Sequence, residues 1–280
     1  WGRATYAGGV PRPTRRTALA AGLGVLAAGA AGCSRDLPGT DVGPDVEVHR
    51  GTLRSRHLPG RDLPWVIAVP RDGDPHRPPV VVLHGKGGHA EQALSTLHLG
   101  DHVAATGLAV AAVDGGNGYW HRRRDGTDAG RMVVEDLLPL VAREYAPTDR
   151  VALLGWSMGG YGSLLLASDL GPERVAAVAT SSAALWTSPG ASAPGAFDDR
   201  DDFLAHDVFA DERLATLATV PVRLDCGRDD PFVAANRAFG GALPSATLTV
   251  DAGAHTGAYW RGHGRAQLEW VRARLDEAAT

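Results

Sequence analysis

The chain has 280 residues, 44% of them hydrophobic and 21% charged, which suits one globular domain with a sizeable core and argues against disorder or a repeat array. Its charge is uneven: residues 1–33 hold four arginines and no acid, leaving 24 basic against 32 acidic residues and a formal net charge of −8 in the remainder. A body this acidic excludes nucleic acid as the expected partner. The two cysteines, Cys33 near the start and Cys226 in an expected strand, offer no disulfide within the domain, so its core must hold the fold.

In chain order, residues 1–33 read as an export signal. Arg15 and Arg16 precede an uncharged, Ala/Gly-rich run from Ala18 to Ala31, too short to span a bilayer as a helix, which needs about 20 residues. A paired arginine before so weakly apolar a stretch resembles a twin-arginine signal. The run ends Ala30-Ala31-Gly32-Cys33, which resembles a bacterial lipobox with Ala30 where leucine is usual. That likeness implies lipidation of Cys33 and an anchor on the outer face of the cytoplasmic membrane; a plain secretory signal with Cys33 incidental is the other reading. Either way the domain is expected outside the cytoplasm. Residues 34–44, rich in Pro, Gly and Asp, are the expected tether, and 45–280 the folded domain.

Within the domain, Val46 to Arg54 and Pro64 to Val69 read as strands joined at Pro59-Gly60. Pro79 to Leu83 is continuously apolar, as a strand buried on both faces should be. Further strands are expected at Leu108 to Val113, Val151 to Leu154, Val175 to Thr180, Val222 to Cys226 and Thr247 to Val250. Helices are expected near Ala90 to Leu97, Ala129 to Tyr145, Ser163 to Leu170, Phe232 to Phe239 and Arg265 to Ala273. This alternation specifies an α/β fold with a doubly wound, mainly parallel sheet. The long irregular interruption between Ser181 and Val220 is expected to form a small cap near 181–220.

The chemistry centres on Gly155-Trp156-Ser157-Met158-Gly159, which follows the strand at Val151 and leads into a helix. This is the strand, turn and helix of a nucleophile elbow in the form G-x-S-x-G. A serine hydroxyl is a poor nucleophile at neutral pH, so Ser157 needs a base, an acid to orient that base, and donors for the oxyanion. In such a sheet these come from strand-end loops in the order serine, acid, histidine. Three histidines follow Ser157: His206 in the expected cap, His263 beside the last helix, and His255 directly after the last strand, which is favoured. The loop after Cys226 offers Asp229 and Asp230; Asp230 is favoured because Pro231 can open the next helix while the aspartate caps it. Asp225 and Asp251 are outsiders. Oxyanion donors are expected from the backbone N–H groups of Met158 and Lys86, the latter in His84-Gly85-Lys86-Gly87-Gly88. His84 reads as a loop-shaping residue, and a Ser-Lys dyad through Lys86 is disfavoured.

The runs Gly155-Trp156-Ser157-Met158-Gly159-Gly160 and His255-x-x-x-Tyr259-Trp260, supported by Asp114-Gly115-Gly116 and Tyr119-Trp120-His121, resemble the α/β-hydrolase superfamily. The likeness is greatest to the esterase group that includes esterase D and the antigen 85 mycolyltransferases, and it covers Pro79 to Leu275. It implies a triad of Ser157, Asp230 and His255 with Lys86 and Met158 as oxyanion donors. Antigen 85 enzymes use glutamate where this chain has aspartate, so mycolyl transfer does not follow. Trp120, Trp186 and Trp260 are the candidate lining of a substrate pocket. The expectation is an exported serine hydrolase that cleaves small-molecule carboxylic esters through an acyl-enzyme. Acyl transfer, peptidase activity, or an inactive binding protein on the same scaffold are the alternatives. No cofactor is expected, nor a metal, since no His/Cys/Asp cluster has ligand spacing.

Overall fold

The computed structural model describes residues 42–278. The export signal, Cys33 and most of the tether lie outside the described residues.

Eight strands form one sheet: β1 (Val46–Leu53), β2 (Leu63–Pro70), β3 (Val80–Leu83), β4 (Val110–Val113), β5 (Val151–Trp156), β6 (Val175–Ser181), β7 (Val222–Gly227) and β8 (Thr247–Asp251). Their order is β1-β2-β4-β3-β5-β6-β7-β8. The β1 and β2 pairings are antiparallel and all the rest are parallel. Strands β3 to β6 are buried along their whole length, because helices cover both faces, which is why these segments read as unbroken apolar runs. The order reverses around β3 and β5, and ligands of open α/β sheets bind beyond the carboxyl ends of strands at such a switch point.

Helices α1 (Gln92–Ser95), α2 (Gly100–Thr106), α3 (Ala129–Met132) and α4 (Leu138–Glu144) precede β5. The helix expected from Ala129 to Tyr145 is interrupted by a π turn at Val133–Leu137. Pro139 has no N–H for the carbonyl four residues back, and the wider turn, in which Leu138 N–H reaches Val133 O, accommodates it. Helix α5 (Met158–Leu170) follows β5 without a linker beyond Ser157. The segment between β6 and β7, expected to be irregular, carries α6 (Arg200–Ala205) and α7 (Asp211–Leu217). Helix α8 (Val233–Ala242) precedes β8, and α9 (Gly257–Ala278) ends the described chain. The last helix is much longer than expected. Gly257, Gly262 and Gly264 lower its intrinsic propensity, but burial of Tyr259 and close packing at Gly264 accompany the first turns.

Candidate active site

The elbow depends on the absence of side chains. A Cβ on Gly159 would lie 1.9 Å from Leu83 O, and one on Gly155 would lie 2.2 Å from Gly159 O, so both glycines let α5 start against β3 and β5. Between them Ser157 is held at φ 54° and ψ −120°, a conformation unfavourable for a residue with a Cβ. Backbone bonds fix it there: its N–H donates to Ser181 O at 3.0 Å, and its carbonyl accepts from Tyr161 and Ala184.

Three side chains from separate strand ends meet at this turn. His255, in the loop after β8, places Nε2 2.9 Å from Ser157 Oγ and Nδ1 2.9 Å from Asp230 Oδ2. Asp230, after β7, has a fully buried carboxylate. With His255 Nδ1–H donating to Asp230, Nε2 presents its lone pair to the serine hydroxyl. Burial opposes ionisation of Asp230, but hydrogen bonds from His255, Ser182 and the Phe232 N–H outweigh it and hold the carboxyl below its usual range. The expected capping role of Asp230 is corrected: α8 starts at Val233 without a side-chain cap, and Asp230 Oδ1 instead closes a turn by accepting Phe232 N–H at 2.8 Å.

The other candidates lie elsewhere. Asp229 is exposed, and Asp225 is buried in an ion pair with Arg223 and a bond from Gln267. His263 faces Asp251 and Asp225, and His206 pairs with Asp202. Lys86 sends its ammonium to Pro194 O at 3.3 Å, a bond incompatible with service as a base.

The backbone donors are suitably placed. Met158 is the first residue of α5, so its N–H has no acceptor within the helix. Lys86 N–H has no acceptor among the described residues. Its loop runs beside the elbow, since a Cβ on Gly85 would lie 3.4 Å from Ser157 Cβ. His84 shapes that loop. Its Nδ1–H donates to Gly85 O at 2.8 Å while Nε2 accepts Gly115 N–H at 3.0 Å, and burial pushes its pKa down, so the ring is a neutral strut.

The three tryptophans differ. Trp120 is corrected from pocket lining to packing: it is 2% exposed, its ring lies on Gly115 and Gly162, and its N–H donates to His84 O. Trp186 is half-buried and meets Phe232 edge to face at 5.7 Å, and Phe232 in turn lies 5.2 Å from the His255 ring. Trp260 meets His255 edge to face at 5.1 Å and donates its N–H to Ser182 Oγ at 3.0 Å. Ser182 was not singled out from the sequence. It is fully buried at φ 53°, bridges Trp260 to Asp230, and had as its only signal a position just past the end of β6.

A second convergence was also hidden. His121, Asp202 and His206, from the loop after β4 and from α6 with its C-terminal cap, place ligating atoms within 4.8 Å of one another. The expectation that no such cluster exists is therefore corrected: 81 residues separate His121 from Asp202, and sequence spacing registers only ligands that are near in the chain.

The switch-point sheet, the strained elbow serine and the serine–histidine–aspartate contact define an α/β-hydrolase by fold. The sequence profile of a family described as serine aminopeptidase, S33, matches residues 74–199. No curated protein sequence matches the chain. Among solved structures, a ferulic acid esterase superposes with a TM-score of 0.72 at 22% identity, over 82% of this chain and 98% of its own. An S-formylglutathione hydrolase from Agrobacterium tumefaciens gives 0.71 at 19%, over 82% and 96%. Fluorophosphonate-binding serine hydrolase F of Staphylococcus aureus gives 0.69 at 16%, over 81% and 98%.

Proposed function

We propose that this chain is a serine hydrolase that cleaves carboxylic esters of small molecules through an acyl-enzyme on Ser157. The observation that carries the reading is the continuous relay from Ser157 Oγ through both nitrogens of His255 to Asp230. Ser157 Oγ attacks the ester carbonyl carbon as its proton passes to His255 Nε2. The resulting oxyanion accepts from the N–H groups of Met158 and Lys86, both at the mouth of the elbow. As the tetrahedral species collapses, the imidazolium returns that proton to the leaving alkoxide, which departs as the alcohol. Water then repeats the sequence against the acyl-enzyme, releasing the acid and restoring Ser157. Asp230 keeps its charge throughout and stabilises the imidazolium. Phe232 borders the histidine and Trp186 packs on Phe232, an aromatic surface that suits an apolar or aryl acyl group. The segment between β6 and β7 supplies Trp186 and acts as the cap.

The test is hydrolysis of p-nitrophenyl esters from acetyl to dodecanoyl by the parent and by Ser157→Ala, with a fluorophosphonate probe on both. Ester turnover and stoichiometric labelling in the parent, with a loss of roughly a thousandfold or more and no labelling in the variant, is the expected outcome. A parent that takes no label, or that cleaves aminoacyl anilides while leaving every ester intact, refutes the proposal.

A further inference from the structure

His121 is 3% exposed, yet both of its ring nitrogens face oxygen atoms. Nε2 lies 3.1 Å from Ala196 O, while Nδ1 lies 3.0 Å from Arg122 O and 3.7 Å from Asp202 Oδ1. A neutral imidazole carries one N–H, so one nitrogen must aim its lone pair at oxygen lone pairs. Protonating the ring would relieve that, but a buried imidazolium is costly to desolvate, and the His206 ring stands only 4.3 Å away.

A cation among these groups removes the conflict. Nε2–H then donates to Ala196 O, the backbone-carbonyl bond by which metal-bound histidines are generally oriented, and Nδ1 turns its lone pair to the ion. Asp202 is prepared in the same way. Its Oδ2 accepts Asp198 N–H at 2.7 Å, which turns Oδ1 toward both histidines. His206 contacts Asp202 O through Nδ1 at 2.9 Å and Oδ1 at 3.0 Å, so its ring is tied to the same carboxylate. Donors about 2.1 Å from a tetrahedral ion stand about 3.4 Å apart. The 3.7 Å between His121 Nδ1 and Asp202 Oδ1 is close to that. The full set, within 4.8 Å, has to contract by up to about 1.4 Å, a movement open to the partly exposed His206. Both histidines line an open cleft shared with Asp128 and Asp169, which gives an ion a way in.

We propose that His121, Asp202 and His206 form a site for one divalent transition-metal ion of the zinc type, which ties α6 to the loop after β4. Two imidazoles and one carboxylate favour zinc over magnesium or calcium, and the remaining position goes to water or a backbone carbonyl. The role is structural. The same seam is already stapled by the Arg123–Asp198 and Arg124–Asp199 ion pairs, and Tyr161 of α5 donates its hydroxyl to His206 O.

The test strips the full chain with a chelator and dialyses it against Zn²⁺, with Mg²⁺ and Ca²⁺ in parallel. One equivalent of zinc and neither of the others is expected, with a melting temperature that climbs as free zinc rises and unchanged ester turnover per fluorophosphonate-labelled serine. Asp202→Asn and His206→Ala should each weaken zinc binding by about a hundredfold or more, while His98→Ala, whose side chain is 42% exposed ahead of α2, leaves it as in the parent. Should either variant fail to fold, X-ray absorption of the Co²⁺-loaded parent decides, two imidazole ligands and an oxygen shell being expected. Absence of retained zinc, equal retention by both site variants, or a cobalt spectrum without imidazole scattering overturns the proposal.

Discussion

Replacing Ser182 by alanine tests whether the aspartate of the relay is itself held in place. The hydroxyl is fully buried, accepts the Trp260 indole N–H at 3.0 Å and donates to Asp230. Alanine removes one donor from an ionised, buried carboxylate, a bond of about 1.5–3 kcal/mol, and strands an indole N–H at about 1–3 kcal/mol. Because one hydroxyl serves both partners, the two losses overlap, and stability should fall by about 2–4 kcal/mol. With Trp260 released, the edge of His255 loses its wall and Asp230 is held by its two remaining donors. A drop in kcat of roughly tenfold to a hundredfold is expected, equivalent to about 1.4–2.7 kcal/mol of barrier, with KM little changed because Ser182 touches no substrate. Ser182→Gly separates the causes: it relieves a φ of 53°, worth about 1 kcal/mol, yet lacks the hydroxyl. It should therefore be more stable than Ser182→Ala and equally slow. The assays are urea unfolding and p-nitrophenyl acetate kinetics. Parental kcat and parental midpoint in Ser182→Ala, or restored kcat in Ser182→Gly, would refute the reasoning.

Gly159→Ala should not yield folded protein, since its Cβ would stand 1.9 Å from the backbone oxygen of Leu83, where no flexible side chain can give way, a clash beyond about 4 kcal/mol; soluble yield and circular dichroism decide. Lys86→Ala should keep kcat within about threefold, because the side chain reaches only Pro194 O and the backbone N–H remains, whereas a Ser-Lys dyad would demand near-total loss. For Asp230 the folded pKa lies below the ordinary 3.8, so its hydrogen bonds contribute stability above that value and lose it as pH falls through the depressed folded one. Urea midpoints of the parent should therefore decline in that acid window, and those of Asp230→Asn, lower throughout, should decline less; parallel curves would contradict this.

The elements of the sheet were legible because each is local. Unbroken apolar runs mark strands covered on both faces, and G-x-S-x-G marks the elbow because a turn that tight admits no Cβ at Gly155 or Gly159. The order of strand ends then pointed to His255 and Asp230, which the fold brings to Ser157. The start of α9 escaped notice because its glycines weaken the helix signal that burial later overrides.

What the sequence by itself determined, then, was the set of strands, the elbow and a short roster of polar groups at strand ends, since these follow from neighbours in the chain. Tertiary structure alone decided that Trp120 is enclosed in the core, that Ser182 stands between Trp260 and Asp230, and that His121 meets Asp202 and His206. Those contacts join segments far apart in the chain. Their partners are set by how helices and loops pack across the sheet, and residue type and local periodicity carry no record of that packing.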